Sequence, residues 1–299
     1  AGPLPPAAGL EDGDRLKATA VASGKGLERG GAPAGPASQD PPPSGLGTNK
    51  LYLADTYRTE TPAVVVEVEP VPESGDLKVI LDKTVFHPQG GGQPADKGVL
   101  SFPGGEFRVS MVKEDRSTGL VFHFGSMGSG SGSLEAGTEV DARIDPEWRS
   151  VCSRLHSAGH AMDAAMTALA VSGLTPTKGY HFPDAPYVEY AGTLAAEEKD
   201  SLQERLTNEL QSIIEKQVPS KVVYLSAPEV LELCPGANVS IFPEGAMIRV
   251  VNVGGCWCPC GGTHVGNASE LERVTVTRIK AKKGTVKVSY EVTGCMSKK

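Results

Sequence analysis

The chain has 299 residues, 39% of them hydrophobic, and a formal net charge of −7, which allows one or two domains with sizeable cores. No apolar run reaches the ~18 to 20 residues that cross a bilayer, so a soluble protein without a membrane span is expected. Three of the six cysteines crowd into Cys256-Trp257-Cys258-Pro259-Cys260, unlike the dispersed disulfide framework of a small secreted domain, and a reducing compartment fits better.

Residues 1–48 are almost all Gly, Pro, Ala, Ser and scattered charges, with no aromatic residue and no hydrophobic period. Such a segment cannot bury enough apolar surface to offset its ordering entropy, so it reads as a disordered extension. Its acids Glu11, Asp12, Asp14, Glu28 and Asp40 speak against a transit peptide, and the cytoplasm is preferred over an organelle. From 49 to 145 the pattern is short strands between turns. Val64, Val66 and Val68 alternate with Val65, Glu67 and Glu69; Leu77 to Leu81 is an apolar run; Phe107, Val109 and Met111 alternate, as do Val140, Ala142 and Ile144. This predicts a small antiparallel β-barrel, with Gly125 to Gly137 as a flexible loop.

Residues 146–299 change period. Asp145-Pro146 is a helix start, and Trp148, Val151, Cys152, Leu155, Met162, Met166 and Leu169 recur at helical spacing up to a stop at Gly173. A second amphipathic helix is predicted from Ala195 to Lys216. Strands follow at Lys221 to Leu225, Ala246 to Val253, Val274 to Ile279 and Thr285 to Val292, with a helical turn near Pro228 to Leu233. The expected fold class is α+β: a barrel, then two helices against an antiparallel sheet.

Two short motifs carry the chemistry. His156-Ser157-Ala158-Gly159-His160 puts two imidazoles one helical turn apart, and Cys260-Gly261-Gly262-Thr263-His264 can fold a thiolate and a third imidazole back on the same point. One thiolate and three imidazoles suit Zn²⁺. Ser157 stands where a metalloprotease helix carries its general-base Glu, so that chemistry is not expected. Four protein ligands make a closed sphere, which points to a structural ion unless the site expands, exchanges a ligand or uses zinc to position substrate. The run Gly90-Gly91-Gly92-Gln93-Pro94 either offers backbone N–H groups to a phosphate or oxyanion, or is a tight barrel turn. Cys256 and Cys258 read as neutral neighbours of the ligand loop, ahead of the alternative that they are extra metal or redox thiols. The charge of residues 146–299 is balanced, but from Arg273 to Lys299 the bases Arg273, Arg278, Lys280, Lys282, Lys283, Lys287, Lys298 and Lys299 stand against one acid, Glu291. Such a strip can bind phosphates or simply guard an edge strand.

Together, HxxxH, C-G-G-T-H-V and the upstream G-G-G-Q-P resemble the editing domain of alanyl-tRNA synthetase, and still more the free-standing AlaX-type alanyl-tRNA editing proteins. Thr177-Lys178-Gly179-Tyr180-His181-Phe182-Pro183, Pro186-Tyr187-Val188-Glu189-Tyr190 and Asn49-Lys50-Leu51-Tyr52-Leu53-Ala54-Asp55-Thr56 carry the same likeness, which covers roughly residues 49 to 293. The resemblance implies an enzyme, an aminoacyl-tRNA deacylase that edits in trans. It would hydrolyse mischarged Ser-tRNA(Ala), or in some members Gly-tRNA(Ala), with the acceptor end of tRNA(Ala) as its partner. It implies His156, His160, Cys260 and His264 as zinc ligands, Thr177 as the hydroxyl that recognises serine, and Gln93 as a further site residue. The expected domains are an extension at 1–48, which departs from the compact family members, a barrel at 49–145 and a zinc-containing editing domain at 146–299. The rival readings are a zinc-stabilised tRNA-binding module without hydrolysis, and a metallohydrolase of a small ester or peptide.

Overall fold

The computed structural model describes residues 47–72, 74–195 and 197–296. Of the extension expected at 1–48, residues 1–46 lie outside them, while Thr48 is buried and donates its hydroxyl to Leu81 O at 3.2 Å, so it belongs to the folded barrel. A two-residue parallel ladder joins β1 (Asn49–Lys50) to β4 (Lys83–Thr84). Six longer strands, β2 (Glu60–Pro70), β3 (Leu77–Leu81), β5 (Gly98–Phe102), β6 (Gly105–Asp115), β7 (Leu120–Gly130) and β8 (Glu139–Ile144), close into a barrel in the order β2-β3-β7-β6-β5-β8. Every neighbouring pair in it is antiparallel.

Alternation along the strands fills the barrel: Ala63 and Val65, Phe107 and Val109, and Val140, Ala142 and Ile144 are all buried. The phase of β2 differs from the simplest reading of its valines. Val65 is 1% exposed while Val64 and Val66 are 38% and 53% exposed. The register between β2 and β3 shifts between Val65 and Glu67, and such a bulge resets which residues face inward. The expected loop at Gly125 to Gly137 is also corrected, since β7 continues to Gly130. A side chain at Gly125 would meet Arg108 O at 1.8 Å, so this glycine permits close strand approach rather than marking a loop.

After the barrel come α1 (Pro146–Ala168), β9 (Leu174–Tyr180), β10 (Tyr187–Gly192), α2 (Glu198–Glu215), β11 (Lys221–Leu225), α3 (Ala227–Leu233), β12 (Ile248–Val253), β13 (Cys256–Pro259), β14 (Val274–Lys282) and β15 (Thr285–Val292). They form a four-stranded antiparallel sheet, β14-β15-β10-β9, and a three-stranded one, β11-β12-β13. The whole is an α+β arrangement. Asp145 caps α1 by accepting the N–H groups of Glu147 and Trp148, both at 3.0 Å, as the Asp-Pro start requires. The helix ends at Ala168, before the expected Gly173, and the chain reverses through Ala170 at φ 50°. Leu155 and Met162 of α1 and Leu206 and Leu210 of α2 pack with Val188, Val286, Val288 and Tyr290 from the four-stranded sheet.

One buried ion pair ties α1 to the barrel. Arg149 bonds Asp96, at 3% and 0% exposure, and donates to Thr56 O at 2.7 Å and Val85 O at 2.6 Å. With its donors satisfied in this way, the pair fixes orientation, and losing either partner would strand a buried charge. Among the described residues, no helix is long and apolar enough to cross a membrane.

Candidate metal centre

Helical spacing puts His156 and His160 on the same face of α1, their rings 4.9 Å apart and nearly parallel. The loop after β13 brings Cys260 and His264 against them. Cys260 Sγ lies 3.5 Å from His156 Nε2 and 3.5 Å from His264 Nε2. One ligand-type atom from each of the four residues falls within 4.8 Å of all the others. His160 Nε2 is buried and finds no hydrogen-bond partner. Burial, then the neighbouring imidazoles, hold His156 well below the usual histidine range, and burial pushes His160 down to about 4. The rings are therefore neutral and present lone pairs at neutral pH, the state a metal ligand requires. Burial raises the Cys260 thiol, while the Gly262 N–H and the Arg249 guanidinium favour its thiolate. Three neutral imidazoles and a sulfur converging on one point, with an orphaned nitrogen among them, fit a borderline divalent cation.

The Gly-rich run builds the support behind this cluster. Gly90 and Gln93 exchange backbone bonds around Gly91 and Gly92, which take φ 57° and 81°; two successive positive φ values make a type I′ turn, for which glycine is suited. A side chain on Gly92 would meet Gly179 O at 2.4 Å, so the close approach is to β9. Of the two readings of this run, the structure shows the tight turn. The turn delivers Gln93, fully buried. Its Oε1 accepts from His156 Nδ1 at 2.7 Å, and its Nε2 donates to Thr263 Oγ1 at 2.7 Å. This fixes the His156 tautomer with Nε2 free to face the cluster.

The ligand loop is held with little slack. Its consecutive N–H groups are each accepted by a side chain: Gly262 by Cys260 Sγ, Thr263 by Gln93 Oε1, His264 by Thr56 Oγ1, Val265 by Ser157 Oγ and Gly266 by Tyr57 OH. Arg249 adds bonds to the carbonyls of Cys260 at 2.6 Å and Gly262 at 3.1 Å. These N–H groups are thus committed to positioning the loop. Cys256 and Cys258 stand outside the cluster, and burial raises the Cys256 thiol to about 11 and the Cys258 thiol higher still.

Thr177 sits apart from the four ligands, exposed on β9. The β9–β10 register pairs Lys178 with Glu189 and then Pro176 with Tyr190, so Thr177 is the extra residue of a bulge. Its Oγ1 donates to Glu189 O at 3.0 Å. Bulges re-aim side chains and gather near functional sites. Two residues on, β9 reaches the cluster. Gly179 abuts His181, whose ring stacks on His156 at 4.8 Å and whose Nδ1 is 2.6 Å from Tyr290 OH. Sequence spacing alone does not single out His181. Nor does it single out Thr56, Tyr57 or Arg249, and Ser157 is noticed only as a departure from Glu.

A closed barrel joined to an α+β unit that gathers three imidazoles and a cysteine sulfur makes this a two-part protein with a candidate metal centre. A family model for class II (A) tRNA synthetases matches residues 57–148, and one for the threonyl and alanyl tRNA synthetase second additional domain matches residues 248–287. The chain is 33% identical over 253 residues to alanyl-tRNA editing protein AlaX-M of Saccharolobus solfataricus, covering 82% of this chain and 99% of the relative. It is 30% identical over 242 residues to AlaX-M of Methanosarcina barkeri, covering 79% and 94%. It is 31% identical over 237 residues to AlaX-L of Pyrococcus horikoshii, covering 78% of this chain but 55% of that longer relative. The chain belongs to the alanyl-tRNA editing protein family.

Proposed function

We propose that this protein is a zinc-dependent aminoacyl-tRNA deacylase that hydrolyses the ester joining serine, or in a second specificity glycine, to tRNA(Ala). The observation that carries this reading is the convergence of His156, His160, Cys260 and His264 within 4.8 Å in a chain of the editing family. These four residues would hold the ion, which when bound would supply a fixed positive charge to orient or polarise the aminoacyl end. Gln93 acts from behind by holding the His156 ring, and Arg249 and Ser157 hold the loop. Selectivity is assigned to Thr177. Its hydroxyl proton is already given to Glu189 O, so toward a substrate it is left with acceptor capacity. Serine can donate its hydroxyl there and alanine cannot. The barrel at 49–145 and the zinc-containing domain at 146–299 act as one site, since Gln93 comes from the first and the ligands from the second.

Rates of deacylation of Ser-, Gly- and Ala-tRNA(Ala), with the protein as purified, after chelation and after zinc is restored, test the reading. Ser-tRNA(Ala) should be cleaved far faster than Ala-tRNA(Ala), and chelation should abolish the difference. Binding of tRNA(Ala) without cleavage of any of the three would leave only the binding-module alternative.

A further inference from the structure

The β14-β15-β10-β9 sheet turns one face to the helices and presents the other outward. On the inner face, Val188, Tyr190, Val286, Val288 and Tyr290 are buried against α1 and α2. The residues that alternate with them form rows across the outer face. One row runs Arg278–Ser289–Tyr187–Tyr180 and the next Lys280–Lys287–Glu189–Lys178, each member directly opposite the next in register. Lys280 faces Lys287, and Glu189 stands opposite both Lys287 and Lys178, so this row carries three cations to one anion.

The aromatic members of this face are stacked. Tyr180 lies parallel to Phe182 at 4.5 Å and 14°, and to Tyr187 at 5.4 Å and 18°. Lys287 Nζ closes the Tyr187 end, 3.3 Å from that ring centroid. At the other end, Phe182 has no further ring against it among the described residues. Two acids lie nearby: Glu189, in the lysine row, and Asp184, which accepts from Tyr180 OH at 3.1 Å. Half-buried rings ordinarily pack into a core, whereas these three are aligned along a cationic surface.

The position of the stack matters as much as its composition. Tyr180 and Phe182 bracket His181 in the chain. The His181 N–H donates to Gly92 O at 2.8 Å, and its ring lies on His156. An ester on the last ribose of a tRNA is one bond system away from an unpaired terminal base. A site that holds that ester must also place that base.

We propose that the Phe182–Tyr180–Tyr187 stack is the platform for the single-stranded 3′ end of the RNA, with the terminal base continuing the stack on Phe182 and the adjacent phosphates lying along the Lys178, Lys280 and Lys287 row. Every base has a flat face, so stacking holds an unpaired end without reading its sequence, and a neighbouring row of cations tracks the backbone. This inference rests on the deacylase reading for the identity of the RNA.

The test uses the full chain and an uncharged acceptor-stem minihelix of tRNA(Ala) carrying 2-aminopurine in place of the terminal adenine, so that binding is read without hydrolysis. Wild-type protein should quench the fluorescence on binding and should bind the minihelix more tightly than one trimmed of its unpaired 3′ end. Phe182→Leu should lose the quench and at least about fivefold in affinity, with zinc content and melting temperature unchanged, and Phe182→Tyr should retain both. Tyr187→Leu shortens the stack from its cation end and serves if Phe182→Leu does not fold; it should lessen the quench. An undiminished quench in a folded Leu variant, or equal wild-type affinity for the trimmed minihelix, would overturn the proposal. A wild type that quenches but cleaves no aminoacyl-tRNA would instead refute the deacylase reading and leave the platform standing. Active protein whose quench ignores Phe182 would refute the platform alone.

Discussion

Gln93 and His156 lie 63 positions apart in the chain, yet Gln93 Oε1 accepts the Nδ1 proton of His156 at 2.7 Å in a fully protein-lined setting. Replacing Gln93 with Leu keeps the volume and removes the acceptor. The His156 ring would then be free to change tautomer and tilt. Loss of an outer partner of a ligating histidine costs about 10–100-fold in metal affinity. Zinc dissociation constants from competition with a chromophoric chelator check this; an unchanged constant would show that Gln93 does not position the ring.

The two glycines of the ligand loop differ in kind. A Cβ on Gly262 would sit 2.2 Å from His156 Cε1 and 2.8 Å from Gln93 Oε1, whereas one on Gly261 meets nothing within 4 Å. Gly262→Ala is therefore expected to expel the ion or fail to fold. Gly261→Ala should stay within about 0.5 kcal/mol of wild type, as surface changes usually do. Zinc content and urea midpoints of the two variants, measured side by side, decide the matter; equal behaviour would contradict the loop geometry.

Thr177→Val keeps the side-chain shape and removes the hydroxyl. It should slow Ser-tRNA(Ala) cleavage by up to roughly tenfold, the worth of one hydrogen bond of about 0.5 to 1.5 kcal/mol, while zinc content and tRNA affinity hold. In the free protein the Thr177 hydroxyl bonds Glu189 O in an exposed setting where water can replace it, so the effect should appear mainly in rate rather than in stability. Preservation of the full Ser/Ala rate ratio in the Val variant would move discrimination elsewhere.

The barrel contributes its own pH dependence. His123 is fully buried, with Nδ1 against Val79 O at 3.1 Å and Nε2 against Thr84 Oγ1 at 2.8 Å. Val79 O can only accept, so Nδ1 carries the proton of the neutral ring and Nε2 accepts from the Thr84 hydroxyl, which itself accepts the Phe86 N–H at 3.0 Å. Burial lowers His123 from 6.5 to about 4. The unfolded chain takes up the proton first as pH falls. The ring's contribution is therefore full above about 6.5, is lost progressively between 6.5 and about 4, and amounts to up to roughly 3 kcal/mol. Urea unfolding at pH 7.5 and pH 5 should show a shallower pH slope for His123→Gln than for wild type; the comparison removes the shared acid release of metal. Parallel slopes would exclude the ring as the source.

Much of this was legible in the residues. Alternating valines marked the barrel, Asp145-Pro146 marked the start of α1, and two spaced motifs named the four residues that converge. What escaped was set by contacts between distant segments. Strand β9 reads Leu-Thr-Pro-Thr-Lys-Gly-Tyr, with a proline, a glycine and a bulge where a strand should alternate, so only the family resemblance drew attention to it. Gly125 looked like a loop because a glycine that admits a neighbouring backbone and one that permits a turn are the same letter. Ser157 looked like a missing general base, although its hydroxyl accepts the Val265 N–H at 3.0 Å. His181 and Arg249 follow no spacing rule at all.

The ligand loop's row of side-chain acceptors bears on how this protein can be cut. All four cluster residues lie after Pro146, so a fragment starting there would carry the complete ligand set. It would lack Thr56, Tyr57 and Gln93, which accept the N–H groups of His264, Gly266 and Thr263. Three neighbouring backbone donors would lose their acceptors together, and His156 would lose its brace. Transplanting the ligand-bearing half alone would thus carry over the donors of a metal site without the scaffolding that gives them a shape.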